Sequence, residues 1–185
     1  MIYCIVGETG AGKDTIAREL QKLLDCEVVA SYCDAPPRPD QQQGREHTFV
    51  SKEEYDKLHD AEEVIAETEI AGKRYCVTKQ LLERYGESEK PIIYIIDPRG
   101  VRMLEDLGYT TIIFYVDVPL HLREERLHAK RRGFNLAARY AAEHLEFEDF
   151  KANHRIDLII DNANSLDFTI KQLIFSLKNL GYNIY

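Results

Sequence analysis

Gly7-Glu8-Thr9-Gly10-Ala11-Gly12-Lys13-Asp14-Thr15 is the stretch that decides how this chain reads. An apolar run, Ile2 to Val6, leads into it, and Ile16, Ala17, Leu20, Leu23 and Leu24 leave it at helical spacing. A strand, a glycine-rich turn and a helix in that order describe a phosphate-binding loop. Glycines let the backbone curl until successive N–H groups point at one anion. The start of the helix adds positive potential, and Lys13 can reach the outer phosphates of a nucleotide. Gly7, Thr9, Gly10, Ala11, Gly12, Lys13, Asp14 and Thr15 are therefore assigned to a nucleotide-phosphate site. One position departs from the usual pattern. Asp14 stands where a Mg²⁺-ligating hydroxyl is expected, and Thr15 supplies that hydroxyl one residue later. A plain glycine turn with a surface lysine is the alternative, and it leaves the flanking strand and helix unused.

Working outward, apolar runs alternate with helical patterns. Strands are expected at 2–6, 27–30, 91–96, 110–116 and 156–160, and helices at 13–24, 100–107, 119–130 and 166–180. Several runs are apolar on both faces, as in Ile92, Ile93, Ile95 and Ile96, which suits a parallel sheet covered by helices on both sides. Residues 31–75 break the rhythm. They hold a Pro/Arg/Gln-rich loop, a short helix opened by Ser51 and Glu54 at capping-box spacing, and alternating segments around 62–77. The expected fold is α/β, a single domain with a P-loop parallel sheet. Its core is 1–30 and 76–185, with a small mixed-β acceptor lobe at 31–75 and a helical lid at about 130–140.

The 185 residues carry 44% hydrophobic and 30% charged side chains and a formal charge of −8. That charge argues against nucleic acid as a partner, because a phosphate backbone needs a basic face. No apolar run reaches the roughly 20 residues of a membrane span, so a cytoplasmic location is expected. Cys4, Cys26, Cys33 and Cys76 lack CxxC or metal-ligand spacing and read as reduced thiols.

Two further features carry chemistry. The run Ile92 to Ile96 ends in Asp97, and a carboxylate at a buried strand end can hold the Mg²⁺ shell of a nucleotide. An isolated Asp there would instead cap a helix, and Pro98 and Gly100 suit such a turn. A basic cluster, Arg123, Arg126, Lys130, Arg131, Arg132 and Arg139, stands out in an acidic chain. Arg123 and Arg126 are read as facing solvent or packing along their helix. Lys130-Arg131-Arg132-Gly133 interrupts the helical pattern and reads as an arginine-bearing lid. Guanidinium groups there would neutralise charge on a transferring phosphoryl group.

Together these parts resemble guanylate kinase nearly from end to end. The strongest local match is Ser31, Pro36, Pro37, Arg38, Pro39, Gly44, Phe49, Val50, Ser51, Glu53, Glu54 and Tyr55. Gly72 and Tyr75, Asp97 and Gly100, Arg126-Leu127, Arg139, and Asp157 to Asn162 extend it. The resemblance implies transfer of the γ-phosphoryl of ATP to a nucleoside monophosphate, GMP or dGMP first, with Mg²⁺. It implies acceptor binding by Ser31, Arg38, Gln41, His47, Glu67 and Tyr75, and metal binding by Thr15 and Asp97. Arg131, Arg132, Arg139 and Asp97 would join Lys13 in catalysis, with Arg126 and Asn162 beside ATP. The implied partners are small nucleotides, and the assembly a monomer or homodimer.

The departures gather in the acceptor lobe. Cys33-Asp34-Ala35 replaces Thr-Thr-Arg, Gln41 replaces a guanine-reading Glu, His47 replaces a Tyr, and Ala66 replaces a second Glu, with Glu67 adjacent. Cys76-Val77 replaces Gly-Thr, and Ile95 an Asp. Two other readings follow. One is a kinase of another phosphorylated metabolite, as in ribose 1,5-bisphosphate kinases, whose loops also carry Asp after the lysine. The other is a non-catalytic guanylate-kinase-like binding module, against which the intact loop argues.

Overall fold

The computed structural model describes residues 1–37, 41–45, 47–61, 64–70, 72–88, 90–129 and 136–184, with side chains placed throughout except at 70, 136–140 and 142. In chain order the elements are β1 (Ile2–Val6), α1 (Lys13–Leu24), β2 (Glu27–Val28), β3 (Tyr32–Cys33), β4 (Thr48–Phe49), α2 (Lys52–Ala61), β5 (Val64–Ile70) and β6 (Lys73–Thr78). They continue with α3 (Lys79–Gly86), β7 (Ile92–Ile95), α4 (Pro98–Asp106), β8 (Thr111–Asp117), α5 (Leu120–Ala129), α6 (Leu136–Asn153), β9 (Leu158–Asp161) and α7 (Leu166–Asn179). The chain is an α/β protein whose parallel sheet, ordered β2-β7-β1-β8-β9, is flanked by helices. A second, mixed sheet is ordered β4-β3-β6-β5. No helix among the described residues is long and apolar enough to cross a membrane.

Internal contacts divide the chain into two units, Met1–Tyr3 with Cys26–Thr111, and Cys4–Asp25 with Ile112–Tyr185. In the first, β2 pairs parallel with β7, and the mixed sheet hangs on the β5–β6 hairpin. That hairpin turns at Gly72, whose φ of 70° suits glycine. Helix α2 begins with the expected capping box. Glu54 N–H donates to Ser51 Oγ at 3.1 Å, and Ser51 N–H to Glu54 Oε2 at 2.8 Å. Helix α4 begins two residues before its expected start, because Asp97 accepts from Gly100 N–H at 2.7 Å and Pro98 occupies the first turn. Helix α3 has no counterpart in the sequence reading. Thr78 caps it through Leu81 N–H, and Leu81 and Leu82 are its buried face, too short a stripe to show periodicity.

In the second unit β8 pairs parallel with β9, and Asp157 fixes the start of that pairing by accepting from Ile113 N–H at 2.7 Å. Helix α1 buries Ile16, Ala17, Leu20 and Leu24, the stripe expected from its spacing. Helix α7 buries Thr169, Leu173 and Leu177 and is capped by Ser165. All four cysteines are buried, and none of them is in a disulfide.

Candidate active site

The stretch Gly7 to Lys13 forms a closed turn between β1 and α1. Ala11 N–H bonds back to Glu8 O at 3.1 Å, and Gly12, with φ 93°, precedes the helix without any side-chain cap. Thr15 and Ile16 N–H both turn back to Gly12 O, at 3.0 and 3.1 Å, so the helix opens directly from the loop with its positive end toward the turn. Two glycines are required by space. A Cβ on Gly7 would lie 2.5 Å from Val116 O in β8, and one on Gly12 would lie 2.7 Å from Asn162 Nδ2. Lys13 Nζ folds over the loop and donates to Gly7 O at 2.5 Å and Glu8 O at 3.3 Å. Asp14 is exposed at the helix start, where a negative charge suits the dipole, and Thr15 is half-buried beside it.

The loop is held from behind by side chains from α5, α6 and the end of β9. Asn162 Nδ2 donates to Ala11 O at 2.8 Å, and Arg126 Nη2 donates to Asn162 O at 2.6 Å while Nη1 reaches Ala11 O at 3.5 Å. Arg126 and Asn162, expected beside ATP, thus meet on a loop carbonyl. Arg123 corrects the sequence reading. It is neither solvent-facing nor simply laid along its helix, being 4% exposed. Its Nε donates to Val118 O at 3.1 Å and Nη1 to Thr9 O at 3.4 Å, and its Nη2 lies 3.0 Å from Glu8 Oε2. From α6, Glu143 accepts from Thr9 Oγ1 at 3.1 Å, and His144 Nδ1 lies 3.7 Å from Glu8 Oε1. Burial, then the nearby Glu8 and Asp117 carboxylates, push the Tyr115 hydroxyl far above its ordinary value. The sequence reading missed Glu8, Glu143 and His144. An acid inside a phosphate loop, in a chain with an arginine cluster, was the available signal.

The mixed sheet sorts the acceptor residues by face. Ser31 Oγ and His47 Nδ1 lie 3.0 Å apart. The His47 ring packs against Tyr75 and Phe49, with centroids at 5.0 and 5.7 Å. Cys33 pairs with both Phe49 and Tyr75, and Thr68 pairs with Tyr75, so these side chains share that face. Glu67 pairs instead with Cys76 and faces the other way. It accepts from the buried Tyr55 hydroxyl at 2.9 Å, and His59 Nε2 lies 3.8 Å from it. Asp34 also belongs to that second network, binding Arg74 N–H and Nε at 2.7 Å each. The structure therefore brings Ser31, His47 and Tyr75 together and turns Glu67 away from them. Gln41 is half-buried at the start of the turn that precedes His47. Gln43 fastens that turn by two side-chain bonds to the Phe49 backbone.

Asp97 lies two residues past β7, at the N-cap of α4, and its Oδ1 accepts from Gly100 N–H, the capping role its setting allowed. Among the described residues, no three His, Cys, Asp or Glu side chains gather to hold a metal ion. The Thr15 hydroxyl and the Asp97 carboxylate are oxygen donors, the ligand type that Mg²⁺ takes beside water and phosphate oxygens. Arg38, Arg131 and Arg132 lie outside the described residues, as does the side chain of Arg139 in α6.

The guanylate kinase family pattern matches residues 1–179. A guanylate kinase of Paraburkholderia xenovorans is 29% identical over 134 residues, which are 71% of this chain and 59% of that protein. One from Thermotoga maritima is 29% identical over 129 residues, 68% of this chain and 62% of its own. The matches to these two relatives thus span about three fifths of their length. Among solved structures, a guanylate kinase from Anaplasma phagocytophilum superposes with a TM-score of 0.68 at 18% identity, over 97% of this chain and 85% of that one. A sugar kinase from Janibacter superposes with a TM-score of 0.53 at 13% identity, over 96% of this chain and 94% of that one. These two likenesses speak for the fold.

Proposed function

This chain belongs to the guanylate kinase family, and we propose on that footing that it moves the γ-phosphoryl group of ATP to a nucleoside monophosphate. The carrying observation is the closed loop, whose uncapped helix start and overlying Lys13 suit a polyphosphate. Loop amides and the Lys13 ammonium would hold the outer phosphates, Lys13 exchanging its bonds to Gly7 O and Glu8 O for phosphate oxygens. Thr15 and Asp97 would hold Mg²⁺, which supplies charge neutralisation at the transferring group. Ser31, His47, Tyr75 and Arg38 would hold the acceptor phosphate, and Arg131, Arg132 and Arg139 would neutralise charge between donor and acceptor. No strong base is needed, because the nucleophile is already a phosphate oxygen. Alignment and charge stabilisation then provide the rate.

GMP and dGMP are the reference acceptors. A coupled ADP-release assay across the common ribo- and deoxynucleoside monophosphates tests the proposal, with turnover expected on at least one. Silence with all of them, despite Mg·ATP binding, would favour the non-catalytic module. The placement of Glu67 supports a second reading. Guanine presents two donors, N1–H and the exocyclic amine, and a carboxylate accepts from both. Ala66 and Thr68 of β5, on the Tyr75 side, offer no carboxylate, and Glu67 is engaged on the other side. Another phosphorylated acceptor, such as ribose 1,5-bisphosphate, therefore belongs in the same panel.

A further inference from the structure

A carboxylate inside a phosphate loop is a liability. Glu8 is 9% exposed, and a buried charge acts strongly on its surroundings because little water screens it. An uncompensated anion there would repel the polyphosphate that the loop is shaped to receive. Arg123 supplies the compensation. Its guanidinium stays charged at any working pH and presents a rigid fork. One arm faces Glu8 Oε2 at 3.0 Å, a second donates to Thr9 O, and Nε is tied to Val118 O. The fork is thus fixed by the end of β8 at one side and by two consecutive loop residues at the other. The close approach is built in, since a Cβ on Gly10 would lie 3.0 Å from Arg123 Cβ.

We propose that Glu8 and Arg123 are positioning residues for the donor nucleotide: the pair fixes the crest of the phosphate loop and keeps its carboxylate electrically silent. This rests on the reading of the loop as an ATP site. It has a consequence that mere packing lacks. Breaking a buried pair leaves one charge uncompensated. Removing Arg123 leaves a negative charge beside the phosphates, whereas removing the Glu8 charge leaves a positive one. The two single variants should therefore move nucleotide affinity in opposite directions.

The test is calorimetry with Mg·ATP, paired with ADP release and thermal melting, on the whole chain. It compares wild type, Arg123→Met, Glu8→Gln and the double variant. Arg123→Met is expected to raise the ATP Kd about tenfold and Glu8→Gln to lower it about threefold, with the double variant returning most of the way to wild type. Both single variants should melt earlier than wild type. If both weaken ATP by similar factors, or the double variant binds no better than Arg123→Met, the proposal is overturned while the kinase reading stands. If Arg123→Met does not fold, Glu8→Gln decides alone, tighter binding supporting the pair and weaker binding overturning it. A wild-type protein that binds no Mg·ATP overturns the donor site itself, and this proposal with it.

Discussion

In the phosphate loop the proposed anion site is made of backbone, a turn closed through a left-handed Gly12 with its carbonyls tied down by Arg123, Arg126 and Asn162. In the mixed-sheet lobe the proposed acceptor site is made of side chains, Ser31, His47 and Tyr75, carried on short strands and a turn. A backbone site tolerates little change, because each glycine is fixed by a steric limit. A side-chain site can be rewritten one residue at a time while its sheet persists. That difference explains why this chain keeps its loop glycines and lysine and departs from its family in the lobe.

The largest effect expected on the donor side is from Lys13→Ala. Turnover should fall at least about a thousandfold, while stability changes by no more than about 1.5 kcal/mol, the scale of a net hydrogen bond such as those from half-buried Lys13 to Gly7 O and Glu8 O. Steady-state kinetics and melting check this together, and undiminished kcat would remove the loop from catalysis. Next, Gly12→Ala forces a Cβ into a left-handed position against Asn162. A loss of about 1–3 kcal/mol is expected, read as earlier melting and a raised KM for ATP with the acceptor KM unmoved. A raised acceptor KM would mean that the two regions are less separable than argued.

The lobe should answer more mildly. Gln41→Glu adds an acceptor for guanine donors, and the ratio of kcat/KM for GMP over AMP should rise about tenfold. An unchanged ratio would place the base elsewhere. The smallest effect concerns Asp34. Burial pushes its carboxyl up, but the Arg74 side-chain and backbone bonds and the Arg74 charge outweigh burial and hold it below the usual range. A depressed folded value contributes stability in full above the unfolded value of about 3.9, and loses it as pH falls through the folded value. Melting of wild type should therefore decline below about pH 4 more steeply than melting of Asp34→Asn. Parallel curves would show that the Arg74 contact carries no charge-dependent stability.

Legibility follows the same division. Strands β1, β7 and β8 and helices α1 and α7 could be read from sequence because long apolar periodicities set them. The capping box of α2 was equally legible, because two side chains three residues apart bond each other. Strands β3 and β4 hold two residues each and carry no period, so only their neighbours define them. Within the site, local geometry announced Lys13 and the glycines. Arg123 was misread because burial of a charged helix residue depends on a partner, Glu8, more than a hundred positions away along the chain. Glu67 was assigned without regard to pleat, where one residue of register reverses the face.

The cradle near the N-terminus is finished by residues that arrive much later. The Arg123 bond to Thr9 spans 114 positions and the Asn162 bond to Ala11 spans 151. A ribosome that has released only the first hundred residues has therefore made every loop glycine and Lys13, but none of these supports. If the loop is the ATP site proposed above, nascent chains stalled before α5 should be held by nucleotide columns far more weakly than the whole chain.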